Sequence, residues 1–261
     1  MFPFYVVVAS LLLLPFAAAV ADPEDLEQFR IEMTSSFWRL GIDGEVQSGS
    51  TAIDFVRDLG VAQDRFTFAG KLVFKPGRKH RINFEYIPFR PNGVNDLSRQ
   101  IEFNGELYGI QDRISTLSKI NYIAGGYQYD IISRPRGHFG LEFGVTYLKL
   151  DATLRSLRTD LSASEEAQIP LPSIGGEGRA FLLPRRKLLN VHGHVRGMSL
   201  GSYGRYVDVG GGVGVGVGPI TFNVGYRVLD VEAQNNKTGA SAIAGRPAFS
   251  GLVLGLQFRD R

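Results

Sequence analysis

Two histidines stand two residues apart in "KLLNVHGHVRG" (187–197), at His192 and His194. On an extended chain, residues two apart share a face. Two imidazoles with nearby carboxylates are a start toward a zinc site, but two ligands do not specify one, and no metal is expected. Asp43 and Glu45 repeat the spacing with acids. Carboxylates that face a row of arginines are expected to be ion-paired rather than to work as an acid–base couple. His138 and His80 lie beside or in turns, and neither has a serine at strand spacing. Without a nucleophile beside a base, lipid hydrolysis is not the first expectation. The glycine run "YVDVGGGVGVGVG" (206–218) fails the three-glycine spacing of a dinucleotide loop at every start. No cofactor is expected.

The elements that position these residues follow from the same run. Its valines fall on odd numbers and most of its glycines on even ones, which is the period of a strand. Similar segments recur from residue 36 to the C-terminus. "RFTFAGKLVF" sets Phe66, Phe68, Leu72 and Phe74 against Thr67 and Lys71, and "RINFEYIPF" sets Ile82, Phe84 and Tyr86 against Arg81 and Glu85. "INYIAGGYQYDI", "HFGLEFGVTYLKL", "ITFNVGYRVL" and "FSGLVLGLQF" behave alike. "SFWRLGIDGEV" places Trp38, Leu40 and Ile42 on one face and Arg39, Asp43 and Glu45 on the other. The pattern predicts about ten strands in an all-β, closed antiparallel transmembrane barrel (8–12 strands) with short periplasmic turns and longer outer loops.

The connections carry part of that expectation. "KPGRK" (75–79), "SRPRG" (133–137), "LPRRK" (183–187) and "GP" (218–219) are short, whereas 49–63, 90–116, 153–170 and 233–246 are long. Outer-membrane barrels show this asymmetry. Residues 1–21 hold no charged side chain, and Ala19-Val20-Ala21 fits a signal-peptidase site, so export with cleavage near Asp22 is expected. Residues 22–33 read as a short periplasmic lead-in and 34–261 as the barrel. The chain has no cysteine, which closes the disulfide and lipoprotein routes. Its net charge of +3 is spread along the sequence, so nucleic acid is not an expected partner.

In lipid every backbone group must be paired within the protein, so the sheet must close and turn its apolar face outward. The lumen-lining set, as a pore or an ion-pair network, is then Arg39, Asp43, Glu45, Lys71, Arg81, Glu85, Asp130, Glu142, Glu177, Arg179, His192, His194, Arg196, Asp208 and Arg227. Near balance of sign favours ion pairing over a channel selective for one sign. Gly210, Gly212, Gly214 and Gly216 should leave room for long side chains of other strands. "IDFVRDLG" (53–60) should form a short helical turn packed over the mouth. The basic turn residues Lys75, Arg78, Lys79, Arg134, Arg136, Arg185, Arg186 and Lys187 face anionic headgroups or solvent.

"STAIDFVRDLG" (50–60) followed by "GRKHRINFEYIPF" (77–89), with "YQY" (127–129) and "IPLPSIGGEGRAFLL" (169–183), resembles a group of bacterial outer-membrane β-barrel proteins of the small OmpA-like and OmpW-like kind. The resemblance covers most of the mature chain. It implies a barrel and no activity. The chain ends "QFRDR", so Phe258 stands where the terminal aromatic signal for the barrel-assembly machinery is expected. The expected partners are that machinery and outer-membrane lipids including lipopolysaccharide, and a monomer is expected. The first functional expectation is a structural or small-solute passage role. The alternatives are a lipid-modifying enzyme and a surface module acting through its outer loops, mainly 90–116 and 153–170.

Overall fold

The computed structural model describes residues 26–48, 51–182, 189–199, 204–234 and 243–260. The leader at 1–21 and the "LPRRK" turn lie outside the described residues. Ten strands form the wall: β1 Ile31–Asp43, β2 Arg65–Gly77, β3 His80–Phe89, β4 Arg113–Arg134 and β5 Gly137–Ser156, then β6 Ser162–Phe181, β7 Leu189–Ser199, β8 Gly204–Val217, β9 Ile220–Gln234 and β10 Ala248–Arg259. Each pairs antiparallel with the strand before and after it, and β1 pairs with β10 from Glu32↔Arg259 to Asp43↔Ala248, so the sheet has no open ends. The result is a closed ten-stranded meander barrel.

Alternation along the strands separates an apolar exterior from a mixed interior. Phe66, Phe68, Leu72 and Phe74 on β2 are exposed, whereas Thr67, Ala69, Val73 and Lys75 between them are buried. The same holds for Ile82, Phe84 and Tyr86 against Arg81, Asn83 and Glu85 on β3. Phe222, Val224, Leu252, Leu254 and Leu256 continue the exposed belt on β9 and β10. A belt of exposed phenylalanine, leucine and valine around the whole circumference is a lipid-facing surface, because no soluble monomer leaves so much apolar area in water. The barrel is a transmembrane one.

The two ends differ as the connection lengths predict. β2–β3, β4–β5 and β8–β9 join by tight turns, and the start of β1 and the end of β10 lie at that side. At the other end the long connections carry their own structure. Glu45–Ser48 pairs with Thr51–Asp54, Ile101–Phe103 with Glu106–Tyr108, and Asn92–Asp96 with β4. The segment 153–170, expected as a loop, is instead the continuation of β5 and β6, joined through 157–161. Residues 113–116, expected at the end of a loop, likewise belong to β4. β4, β5 and β6 therefore stand above the rest of the wall as a three-stranded blade.

Two prolines explain where that blade separates. β6 pairs with β5 along its full length, through Val145↔Pro172 and Tyr147↔Pro170. Proline has no N–H, so at these two positions the missing donor points to the β7 side. The β6–β7 ladder stops at Ile174↔Gly197, immediately before Pro172 is reached. Among the described residues, β6 above Ser173 has a single neighbour in the wall.

Candidate functional site: the lumen

The lumen is closed at three levels. At the turn end, residues before β1 fold into the mouth. Leu26, Glu27 and Phe29 are all buried. The Glu27 carboxylate lies 2.9 Å from Arg81, 3.2 Å from His138, 3.8 Å from Arg259 and 3.9 Å from Arg179. The Phe29 ring lies 5.1 Å from Lys75 Nζ and 5.4 and 4.9 Å from the guanidinium carbons of Arg81 and Arg259. Lys75 donates to the Glu27 carbonyl at 2.7 Å, and Arg259 to the Leu26 carbonyl at 2.9 Å. Of the expected 22–33 lead-in, residues 26–30 thus form a plug and 31–33 already belong to β1. Lys75, expected in a solvated or lipid-facing turn, is buried beneath it because its parity on β2 is inward.

The middle level is an ion-pair lattice that joins neighbouring strands and also crosses the lumen between distant ones. Lys71 on β2 meets Glu177 on β6 at 2.5 Å. Arg227 on β9 donates to Glu85 on β3 at 2.6 Å and to Asp208 on β8 at 2.7 Å. Arg196 reaches Glu85 at 3.4 Å, Glu142 at 3.6 Å and Glu177 at 4.0 Å. Arg179 forks onto Glu32 at 2.8 and 3.1 Å, and Arg81 binds Asp130 at 2.8 Å. The Tyr122 and Tyr206 hydroxyls are 2.9 Å apart, beside Asp208. Charged hydrogen bonds of this kind hold strands across a low-dielectric interior, where any unpaired member is costly.

His192 and His194 both point inward. His194 Nε2 lies 3.2 Å from Asp208 Oδ1, and His192 Nδ1 lies 3.3 Å from Asn190 Oδ1. The glycines of β8 make room for them. A Cβ at Gly210 would come within 2.5 Å of the His194 ring, and one at Gly214 within 2.5 Å of Asn190. Beside this lattice lies a polar cavity of about 130 Å³, lined in part by Thr34, Lys71, Glu177, His192 and Gln257. Such a volume holds several waters.

The outer level is apolar. Trp38, Leu40 and Ile42 of β1 pack in the lumen with Ile87, Phe89, Phe249 and Leu229. Phe89 stacks on Phe249 with ring centroids 4.9 Å apart and meets Trp38 edge-on at 5.7 Å. Above them Ile53, Leu97, Ile101, Tyr108 and Leu154 extend this core into the outer hairpins. The Tyr108 hydroxyl donates to the Leu154 carbonyl at 2.9 Å, and its burial pushes its pKa up to about 12.

This core corrects three expected positions. Arg39 and Asp43 face outward and Glu45 lies exposed in an outer hairpin; none lines the lumen. Arg39 pairs with Asp64 at 3.3 Å on the outside. The strand period is right, but the apolar face of β1 points into the outer core. The other twelve of the fifteen residues lie on inward positions of their strands. Glu27, Glu32 and Arg259 join the lattice without having been expected. Glu32 precedes the segment first recognised as strand, and Arg259 follows the last; parity with Ser36 and Gln257 places both inward.

The loop segment 53–60 forms one helical turn over the mouth, with the Asp58 N–H donating to the Asp54 carbonyl at 3.1 Å. Asp54 caps it by accepting from the Val56 and Arg57 N–H groups at 2.9 and 2.7 Å. Asp58 meets Arg99 at 2.5 Å and accepts from the Asp54 N–H at 2.8 Å. Burial alone pushes Asp58 up. The Arg99 hydrogen bond and charge, with the Asp54 N–H, reverse this and hold it below the usual carboxylate range.

No protein-family model and no curated protein matches this chain. Solved structures similar to it include the translocator domain of the autotransporter NalP from Neisseria meningitidis, 10% identical, with 90% of each chain covered and a TM-score of 0.46. Neisserial surface protein A is 12% identical over 88% of this chain and 96% of its own, with a TM-score of 0.34. The outer membrane protein OprG from Pseudomonas aeruginosa is 8% identical over 91% and 100%, with a TM-score of 0.37. The closed ladder and the apolar belt of this chain carry its own assignment as a transmembrane β-barrel.

Proposed function

We propose that the protein is a non-enzymatic outer-membrane barrel, a rigid envelope element that holds a structured outer face above the lipid. The observation that carries this reading is the triple closure of the lumen by the Glu27 plug, the Arg227–Glu85–Asp208 lattice and the Trp38–Phe89–Phe249 core. A wide channel needs more strands than ten, and small barrels fill their interior with side chains. The short-turn end, where β1 begins and β10 ends, is assigned to the periplasm, and the blade of β4–β6 to the outside.

The blade favours a surface-binding part within the same role. Three strands that continue past the lipid belt and carry a packed hairpin supply a fixed platform, unlike a bare loop. The test is planar-bilayer conductance of refolded 22–261, after heat-dependent gel mobility has shown a folded barrel. Absence of discrete current steps supports the closed barrel. Steps whose ion preference changes in Arg196→Ala or Arg227→Ala overturn it in favour of passage.

A further inference from the structure

We propose that the outer rim of β1–β4 is a docking surface for the phosphate headgroup of an outer-leaflet lipid, a reading that rests on the outward orientation assigned above. Three exposed cations on outward positions lie along this quarter of the rim, beside Arg65, which is exposed at an inward position at the start of β2. Arg39 on β1 stands opposite Phe66 of β2 in register. Arg90 directly follows Phe89, which pairs with Ile120, and Lys119 is the next residue along β4. Arg39, Arg90 and Lys119 are all exposed and mark the outer edge of the apolar belt. Neighbouring strands are about 4.8 Å apart, so the three span roughly 15 Å from β1 to β4. That width suits one bulky headgroup carrying more than one phosphate.

The partners of these cations leave their charge available. Lys119 has no ion-pair partner among the described residues. Arg90 donates only to neutral oxygens: Phe89 and Ile120 carbonyls at 2.7 and 3.4 Å, and the Asn121 side chain at 3.1 Å. Arg39 shares its charge with Asp64, but both side chains are more than half exposed and such a pair exchanges readily. Across the barrel on β8, Arg205 is bound to Asp230 at 3.4 Å. On the neighbouring strand β5, Asp151 stands opposite Lys119 in register but lies 3.8 Å from Lys149, which also holds Glu166 at 2.9 Å. Among the described residues, the Arg39–Arg90–Lys119 row has one ion pair, to Asp64.

The surface directly below is the apolar half of an amphiphile's site. Phe66 is 68% exposed and Phe37 53%, and Phe68, Phe84 and Tyr86 continue the patch down the wall. Phe37 and Phe68 meet edge-on at 6.2 Å. The Tyr86 hydroxyl donates to Asn121, the residue that also accepts from Arg90, which fixes the polar boundary at this level. Cations above aromatics fit an anionic head over acyl chains; a soluble phosphate would use only the upper half.

The experiment compares the purified full mature barrel in neutral-lipid nanodiscs with its Arg39→Gln/Arg90→Gln/Lys119→Gln variant. Both are titrated with a bis-phosphorylated, multiply acylated glycolipid, with its dephosphorylated form and with inorganic pyrophosphate. Each cation near the surface is worth about fivefold, so the triple variant should bind the phosphorylated lipid roughly a hundredfold more weakly. An Arg205→Gln variant, changed on β8 across the barrel, should bind like the parent protein. Equal binding of phosphorylated and dephosphorylated lipid, or an unchanged triple variant, overturns the proposal. Pyrophosphate competing at the lipid's own concentration overturns the lipid and leaves a free-phosphate site. Heat-dependent gel mobility and nanodisc insertion of every variant report separately on the membrane-barrel reading, so its failure is distinguishable from failure of the site.

Discussion

Arg227 holds two carboxylates at once, Glu85 on β3 at 2.6 Å and Asp208 on β8 at 2.7 Å, and so ties the two sides of the barrel across the lumen. Its guanidinium also lies 5.4 Å from the Trp38 ring, where the ionic lattice meets the apolar core. Removing one member of such a group strands the others in a buried site. Arg227→Met should therefore destabilise the barrel by about 3–5 kcal/mol, read as a lower midpoint of the heat-dependent gel shift. Arg227→Met combined with Glu85→Gln should lose less than the sum of the single changes. Additive losses would show that the two residues do not act together.

Among the described residues before β1, Glu27 is the acid that meets a ring of Arg81, Arg179, Arg259 and His138. Glu27→Gln keeps the shape and removes the charge. The expected result is release of the N-terminal segment, seen as faster proteolysis before Ile31 in the folded barrel. Conductance should remain absent, because the middle lattice and the outer core stay in place. Current steps in this variant would make the plug the sole barrier and would contradict the triple closure.

Legibility of the fold followed the side chains. β2, β3, β5, β9 and β10 could be read because phenylalanine, leucine or valine alternates with polar or small residues, and lipid takes the apolar set. β1 has the same period, but Trp38, Leu40 and Ile42 belong to an internal core. The assumption that apolar means lipid-facing fails where the lumen builds a core of its own, and Arg39 and Asp43 were placed inside for that reason. The end of β5 from residue 153 and the upper half of β6 read as loop, the latter for its acids and prolines, although Pro170 and Pro172 sit on an open strand edge. The ion-pair members on regular strands were visible as inward parity. Their partners were not, because pairs such as Lys71 with Glu177 join strands that are not neighbours.

The β8 glycines make a paired prediction. A Cβ at Gly212 would lie 2.4 Å from the Val224 carbonyl oxygen, which is backbone and cannot rotate away. At Gly211, on the lipid face, the nearest atom is the His192 carbonyl oxygen at 3.4 Å. Gly212→Ala should cost about 1–3 kcal/mol through overpacking, whereas Gly211→Ala should be close to neutral. The comparison is made on the midpoint of the heat-dependent gel shift. Equal effects would mean that the glycines serve strand coiling alone and not interior fit.

The outer loop supplies a pH dependence whose sign is fixed by Asp58. Its carboxyl is held below the usual range by Arg99 and the Asp54 N–H, against the opposing effect of burial. A free aspartate titrates near about 3.9, so this contribution is fully present above about pH 4 and is lost as pH falls through the lowered folded value. Arg99 is half exposed, which keeps the effect local to the loop. Protease cleavage within 54–60 should therefore rise steeply on acidification below about pH 4 while the barrel itself stays folded. Asp58→Asn should show raised cleavage already at neutral pH and a flatter profile. A parent protein and variant with identical profiles would place the loop's stability elsewhere, in the Asn95 side chain that donates to the Arg57 and Asp58 carbonyls at 2.6 and 3.1 Å.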